Sequence, residues 1–167
     1  IAACNLNNPI YKNVDYIYSS KYLRAKQTAE ILSKIINKPI TYDKRFNERF
    51  HGKGITNDFE KNQFYDENYK LKEGESQIEV RARMLEGLDE ILKEHQGKTI
   101  AIFTHSTAVT FLLKKWCDIE YLKEYKFNNK IFFEGKWDYT QTFKLEFENN
   151  ELINIEYINN NPNKIEI

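Results

Sequence analysis

The sequence contains little cysteine, little glycine and no excess of charge of either sign. Its two cysteines, Cys4 and Cys117, are too few and too far apart for a disulfide framework or a zinc site, and they fit a reducing cytoplasm. The six glycines form no glycine-rich phosphate loop. A plain nucleotide-binding α/β domain is therefore a weak alternative, which tight binding of ATP would support.

Charge and hydropathy exclude further classes of protein. Lys and Arg together number 25, as do Asp and Glu, so the net charge is zero. This balance argues against a nucleic acid or an acidic membrane as partner. No apolar run approaches the roughly 18 residues of a membrane span, and the first residues do not resemble a signal peptide. We therefore expect a cytoplasmic protein with a single domain over residues 1–167.

Strand and helix patterns alternate along the chain. The strand candidates are residues 14–18, 40–42 and 99–103, and helical patterns cover residues 25–36, 76–96 and 109–116. This order predicts an α/β fold with three layers, α/β/α, around a mostly parallel central sheet. A ligand of such a sheet lies beyond the carboxyl ends of its strands. Ser20, Arg24 and His105 all follow such ends.

Local signals give more detail at four places. Ser76 and Glu79 form a capping box at the start of the long helix, whose predicted core-facing stripe is Ile78, Leu85, Leu88 and Leu92. Residues 53–73 are polar and predict an excursion with short helices. Alternating residues on both sides of Asn149-Asn150 predict a closing hairpin. Residues 1–6 resemble the end of a helix and lack a methionine, so we expect further residues upstream.

Arg24 and His105 are the candidate anion ligands. Arg24 falls in the first turns of a helix, where backbone N–H groups and the helix dipole favour an anion. A solvated arginine on an ordinary amphipathic helix is the alternative. His105 ends a buried strand just before another helix, so its imidazole is able to donate to a phosphate oxygen, with Ser106 and Thr107 as further donors. A structural histidine is the alternative there.

Motifs in the same order resemble the histidine phosphatase superfamily, which includes the phosphoglycerate mutases. The phrase Tyr18-Ser-Ser, three residues, then Arg24-Ala-x-Gln-Thr-Ala is similar to the segment after its second strand. The phrase Asn47-Glu-Arg-Phe-His-Gly52 resembles its segment with the proton-donating glutamate. Thr104-His-Ser-Thr resembles its second histidine segment, although Ser106 stands where many members have glycine. The matches span about residues 14–113.

The resemblance implies a phosphoryl transfer through a phosphohistidine, without a metal or another cofactor. It implies that Arg24 and His105 neutralise the phosphoryl oxygens, that Ser20 and Ser106 assist binding, and that Glu48 protonates the leaving group. A carboxyl beside a phosphate dianion retains its proton to higher pH. Arg49 is either a contact to an acidic substrate group or a surface cation. His51 is expected to be structural or exposed, and His95 to lie at the surface.

The resemblance is incomplete because the sequence contains no Arg-His-Gly phrase. That phrase carries the nucleophile on the first strand of the superfamily, so we expect it upstream of Ile1. The implied activity is phosphatase, acting on a small phosphorylated metabolite, because the excursion after Glu48 and the C-terminal tail are short for a mutase. A phosphoglycerate mutase and a non-catalytic phosphate-binding module are the alternatives. The substrate and the oligomeric state stay open.

Overall fold

The computed structural model describes residues 5–160 of the chain. Most of the predicted N-terminal helix end, residues 1–4, lies outside them. The helices are α1 (Leu23–Ile36), α2 (Phe59–Tyr65), α3 (Gln77–Glu94) and α4 (Ser106–Leu113). The strands are β1 (Tyr16–Ser19), β2 (Ile40–Tyr42), β3 (Ile100–Phe103), β4 (Asp118–Ile119), β5 (Tyr125–Phe127), β6 (Lys130–Phe133), β7 (Thr142–Glu148) and β8 (Glu151–Ile158).

Three parallel strands in the order β2-β1-β3 form the sheet that carries the candidate site. Alternate residues of this sheet face opposite sides, as strand geometry requires. Ile17 packs on the side of α1, in one cluster with Ala29 and Leu32. Tyr18 packs on the opposite side, against a cluster from α3 and α4 that includes Met84. Helices therefore cover both faces of this sheet.

Helix α3 confirms the predicted capping box but not the whole predicted stripe. The Ser76 hydroxyl accepts from the backbone N–H of Glu79, and the Glu79 carboxylate accepts from the backbone N–H of Ser76. Ile78 is 40% exposed, so its placement on the core face is wrong. The buried side of α3 consists of Gln77, Val80, Met84, Gly87, Leu88 and Ile91.

The remaining strands are antiparallel, so the predicted, mostly parallel sheet is present only in part. Strands β4, β5 and β6 form a small sheet, and β7 and β8 form a separate hairpin. The hairpin turn is the predicted one, with positive φ of 50° at Asn149 and 64° at Asn150. Phe147 of β7 packs against the same cluster as Ile100 and Ile102 of β3. Among residues 5–160, β3 has a strand neighbour on one edge only.

Two further expectations are refined by the structure. The helix after His105 ends at Leu113, so Trp116 lies beyond it and not within it. The excursion over residues 53–73 contains one helix, α2, whose buried side includes Phe59 and Phe64. Within the part of the chain that the structure describes, no helix is long and apolar enough to cross a membrane.

Candidate active site

The parallel pairing of β1 with β3 brings Ser20 and His105 together at the carboxyl end of the sheet. Ser19 pairs with Phe103, and the backbone N–H of Ser20 donates to the Phe103 carbonyl over 2.8 Å. Both side chains then leave their strands at the same edge, and His105 Nε2 lies 2.9 Å from Ser20 Oγ. The sequence predicted the two strand ends but not that the strands are neighbours.

His105 is the centre of a chain of polar contacts. Its side chain is buried, and Arg24 Nε donates to its Nδ1 over 3.0 Å. The Ser20 hydroxyl donates to Asn47 Oδ1 over 3.0 Å. Arg24 itself is exposed, and its guanidinium carbon lies 5.3 Å from the ring centroid of Tyr22. The arrangement holds a guanidinium beside a helix N-terminus at the surface, which is suited to an anion.

Burial keeps His105 neutral at neutral pH. Loss of solvation, together with the nearby guanidinium groups of Arg24 and Arg83, lowers the pKa of His105 from 6.5 to about 4. Both ring nitrogens have partners, so donation to a phosphate oxygen, as the sequence predicted, requires the imidazole to exchange a partner.

We expect the low pKa of His105 to make the fold sensitive to acid. Between pH 6.5 and about 4 the unfolded chain binds a proton at His105 that the folded chain does not, so the free energy of unfolding falls as the pH falls. The expected loss from pH 7 to pH 5 is about 2 kcal/mol. Urea denaturation at both pH values measures it, with His105→Gln as the non-titrating control. An NMR titration of His105 with a midpoint near 6.5 would contradict this expectation.

Glu48 lies at the N-terminus of α4, on the helix that follows His105. Its Oε1 accepts from the backbone N–H of Ala108 over 2.9 Å and from that of Arg49 over 2.9 Å. The carboxylate therefore satisfies an N–H group that the helix itself leaves unpaired. The predicted acid and the predicted second histidine thus share one helix end, although 57 positions separate them in the sequence.

Arg49 is buried, so its alternative assignment as a surface cation is wrong. The side chain is 4% exposed, and it donates to Gln63 Oε1 over 2.7 Å and to Glu60 Oε1 over 2.8 Å. Its guanidinium carbon also lies 5.1 Å from the ring centroid of Phe59. In this arrangement Arg49 attaches α2 to the loop that carries Glu48. Contact with a substrate would require it to leave these partners.

Two residues of the site were not predicted from the sequence. Asn47 Oδ1 accepts from both the Ser20 hydroxyl and the backbone N–H of Lys21. Arg83 Nη1 donates to the carbonyl of Asn47 over 2.9 Å, and Arg83 Nη2 to that of Glu48 over 3.2 Å. Asn47 stands beside the predicted acid, which is the one signal that pointed toward it. Arg83 follows the Gly74-Glu75-Ser76 segment, for which the capping box was a sufficient explanation without chemistry.

The structure also places three other residues that the sequence analysis considered, which are Ser106, His51 and His95. Ser106 is exposed at the first position of α4. His51 packs against Phe59, with ring centroids 5.6 Å apart, and burial lowers its pKa. His95 is not a free surface residue, because it stacks on Tyr16 at 4.0 Å and its Nε2 lies 2.8 Å from the Tyr18 hydroxyl.

Residues 5–160 contain no group of three His, Cys, Asp or Glu side chains that could hold a metal ion. Cys117 is a free, buried thiol, and burial raises its pKa to about 12. The groups at the site are thus guanidinium, imidazole, hydroxyl, amide and carboxylate. They can bind an anion and supply a proton, which a phosphoryl-transfer site requires.

A comparison with protein-family models assigns the chain. The model of the histidine phosphatase superfamily (branch 1) matches residues 7–161, which is most of the sequence. The chain belongs to the histidine phosphatase superfamily. The motifs around Arg24, Glu48 and His105 had indicated the same superfamily. A comparison with curated proteins found no match.

Solved structures show the same fold as this histidine phosphatase chain. A mycobacterial glucosyl-3-phosphoglycerate phosphatase complexed with VO3 has a TM-score of 0.60 at 19% identity, covering 66% of this chain and 62% of its own. Bacillus stearothermophilus YhfR has a TM-score of 0.57 at 28% identity, covering 68% and 62%. A structure named mycobacterial hydrolase 2 has a TM-score of 0.65 at 16% identity, covering 94% and 73%. This chain spans about three-fifths of the length of the first structures that it matches, 60% and 62%.

Proposed function

We propose that the protein is a phosphomonoester hydrolase that acts through a phosphohistidine. The observation that carries the proposal is the meeting of three groups at one sheet edge. Arg24 donates to His105, and Glu48 caps the helix that begins directly after His105. Arg24 and the N-terminus of α4 attract the phosphoryl oxygens, and Glu48 protonates the leaving oxygen. Among the structural neighbours, one mycobacterial protein is named a glucosyl-3-phosphoglycerate phosphatase, which supports a phosphorylated metabolite as substrate.

The nucleophile is proposed to lie on a strand outside this sequence. The chain contains no Arg-His-Gly phrase, and among residues 5–160 the outer edge of β3 carries no strand. A further strand at that edge would end beside His105, because β1 and β3 both end there. Its terminal histidine would then be close to Arg24. We further propose that the protein works in the cytoplasm without a metal or an organic cofactor.

The natural full-length protein tests the proposal. We expect it to hydrolyse p-nitrophenyl phosphate and to form an acid-labile phosphohistidine on rapid quenching. Arg24→Ala is expected to lower kcat/KM about 100-fold to 1000-fold, since it removes one preorganised charge at the phosphoryl group. His95→Gln is the control, because His95 contacts Tyr16 and Tyr18 and touches none of the site residues. Its kcat/KM should match the wild type.

Assays of the same protein with phosphoglycerates and with inorganic phosphate separate the alternatives. Transfer between glycerate positions without hydrolysis would overturn the phosphatase assignment in favour of a mutase, which the Asn47-Glu48-Arg49 phrase resembles. Binding of inorganic phosphate without any turnover would instead support a non-catalytic module. Equal kcat/KM in the wild type and in Arg24→Ala would show that Arg24 does not contribute to catalysis.

A further inference from the structure

The four-residue chain from Asn47 to Arg24 has only one consistent assignment of hydrogens. Arginine Nε is always a donor, so His105 Nδ1 must accept from it. A neutral imidazole then carries its proton on Nε2 and donates to Ser20 Oγ. Ser20 Oγ already accepts from the backbone N–H of Tyr22 over 3.1 Å. Its own hydrogen is therefore left for Asn47 Oδ1.

The orientation of the Asn47 amide is fixed from a second side. The backbone N–H of Lys21 donates to the same oxygen, Asn47 Oδ1, over 2.8 Å. A backbone N–H can only donate, so this atom is the amide oxygen. Asn47 thus ends the chain as an acceptor of two hydrogen bonds. Ser20 is fully buried, and the other possible acceptor of its hydrogen among the described contacts, His105 Nε2, carries a proton itself in this assignment.

We propose that Asn47 is a positioning residue that selects the Nε2–H tautomer of His105 and thereby aims Arg24 at the phosphoryl group. Without Asn47, the Ser20 hydroxyl is free to rotate and donate to His105 Nε2. The imidazole would then carry its proton on Nδ1, which faces the Nε–H of Arg24 only 3.0 Å away. Two donors in contact repel, so Arg24 would leave this position. The phosphate role rests on the proposed function, but the tautomer does not.

The tautomer is measured first, on the chain of residues 1–167 labelled with ¹⁵N. Two-bond ¹H–¹⁵N correlations of the imidazole distinguish the two tautomers, and the His105 signals are those that His105→Gln lacks. We expect Nε2–H in the wild type and in Asn47→Asp, whose carboxylate keeps the acceptor. In Asn47→Ala we expect the Nδ1–H form to appear. Wild-type His105 in the Nδ1–H form, or an unchanged tautomer in Asn47→Ala, would overturn the proposal.

A matched variant separates positioning from mere support of the loop. The Thr104 hydroxyl donates to the carbonyl of Phe46 over 2.8 Å, so Thr104→Val also weakens the attachment of this loop but removes no hydrogen bond of the Ser20 or His105 side chain. In Thr104→Val, His105 should stay in the Nε2–H tautomer of the wild type. A tautomer change in Thr104→Val equal to that in Asn47→Ala would reduce Asn47 to a structural residue.

Titration with inorganic phosphate then tests the effect on Arg24. We expect Asn47→Ala to raise the Kd for inorganic phosphate about tenfold, which is the size of one charged hydrogen bond. Asn47→Asp is expected to keep the Nε2–H tautomer of the wild type. Unchanged phosphate affinity in Asn47→Ala, with the tautomer switched, would overturn the aiming of Arg24. Failure of the wild type to bind phosphate at all would count against the proposed function, while the tautomer assignment would stand.

Discussion

Replacing Arg83 with methionine should lower the free energy of unfolding by about 3–5 kcal/mol. The Arg83 side chain is 18% exposed and forms a two-pronged pair with Glu75 at 2.7 and 3.0 Å. It also donates to the backbone carbonyls of Arg45, Asn47 and Glu48. Methionine keeps most of the apolar contact but removes the donor of three carbonyls, and it leaves the Glu75 carboxylate with the backbone N–H of Phe50 and without a cation. Urea denaturation followed by tryptophan fluorescence measures the loss.

Arg81→Met is the matched control for Arg83→Met. Arg81 lies on the same helix and also forms a two-pronged pair, with Glu67 at 3.0 Å for both oxygens. It donates to no backbone carbonyl among the described contacts, and Glu67 is 42% exposed, so the expected loss is about 1 kcal/mol or less. Equal losses for the two variants would show that the carbonyl contacts of Arg83 contribute little.

Phe46→Ala should lower the free energy of unfolding by a similar amount, about 3–5 kcal/mol, because it leaves a cavity. Phe46 is 1% exposed and packs in the cluster of α3 and α4. Gly87 lets the ring approach α3, because a Cβ built on it would lie 2.9 Å from Phe46 Cζ. The measurement is again urea denaturation. Phe50→Ala is the control, since Phe50 is 56% exposed and its truncation should cost less than about 1 kcal/mol.

A double-mutant cycle tests the contact of Phe46 with Gly87. Gly87→Ala alone should destabilise by about 1–3 kcal/mol, because its new methyl group overlaps the Phe46 ring. In a Phe46→Leu background the same change should cost clearly less. Additive losses would mean that the added methyl group meets some other part of the structure.

Structural features that depend on a few neighbouring residues were predicted correctly from the sequence. The capping box of Ser76 and Glu79 and the turn at Asn149 and Asn150 formed as predicted. Each depends on backbone groups one to three positions away, so no distant partner can displace it. The carboxyl ends that carry Ser20 and His105 were predicted for the same reason, since strand length and the following helix are local properties.

Features that depend on distant partners were not predictable in this way. Ile78 belongs to an apolar period, but the buried face of α3 is centred on Val80 and Met84 because the sheet and α4 pack there. The burial of Arg49 depends on Gln63 and Glu60 of α2, which the sequence does not place. A period describes a helix surface, whereas the partner decides which part of that surface is buried.

The contacts that build the site also determine when it forms during folding. Hairpin β7–β8 closes over a two-residue turn and can form early, since its loop is short. The contact of Ser20 with His105 joins residues 85 positions apart, and that of Glu48 with Ala108 joins residues 60 apart. Closing such long loops is slow and depends on the rest of the chain. On a ribosome, therefore, the proposed anion site cannot form until β3 and α4 have emerged.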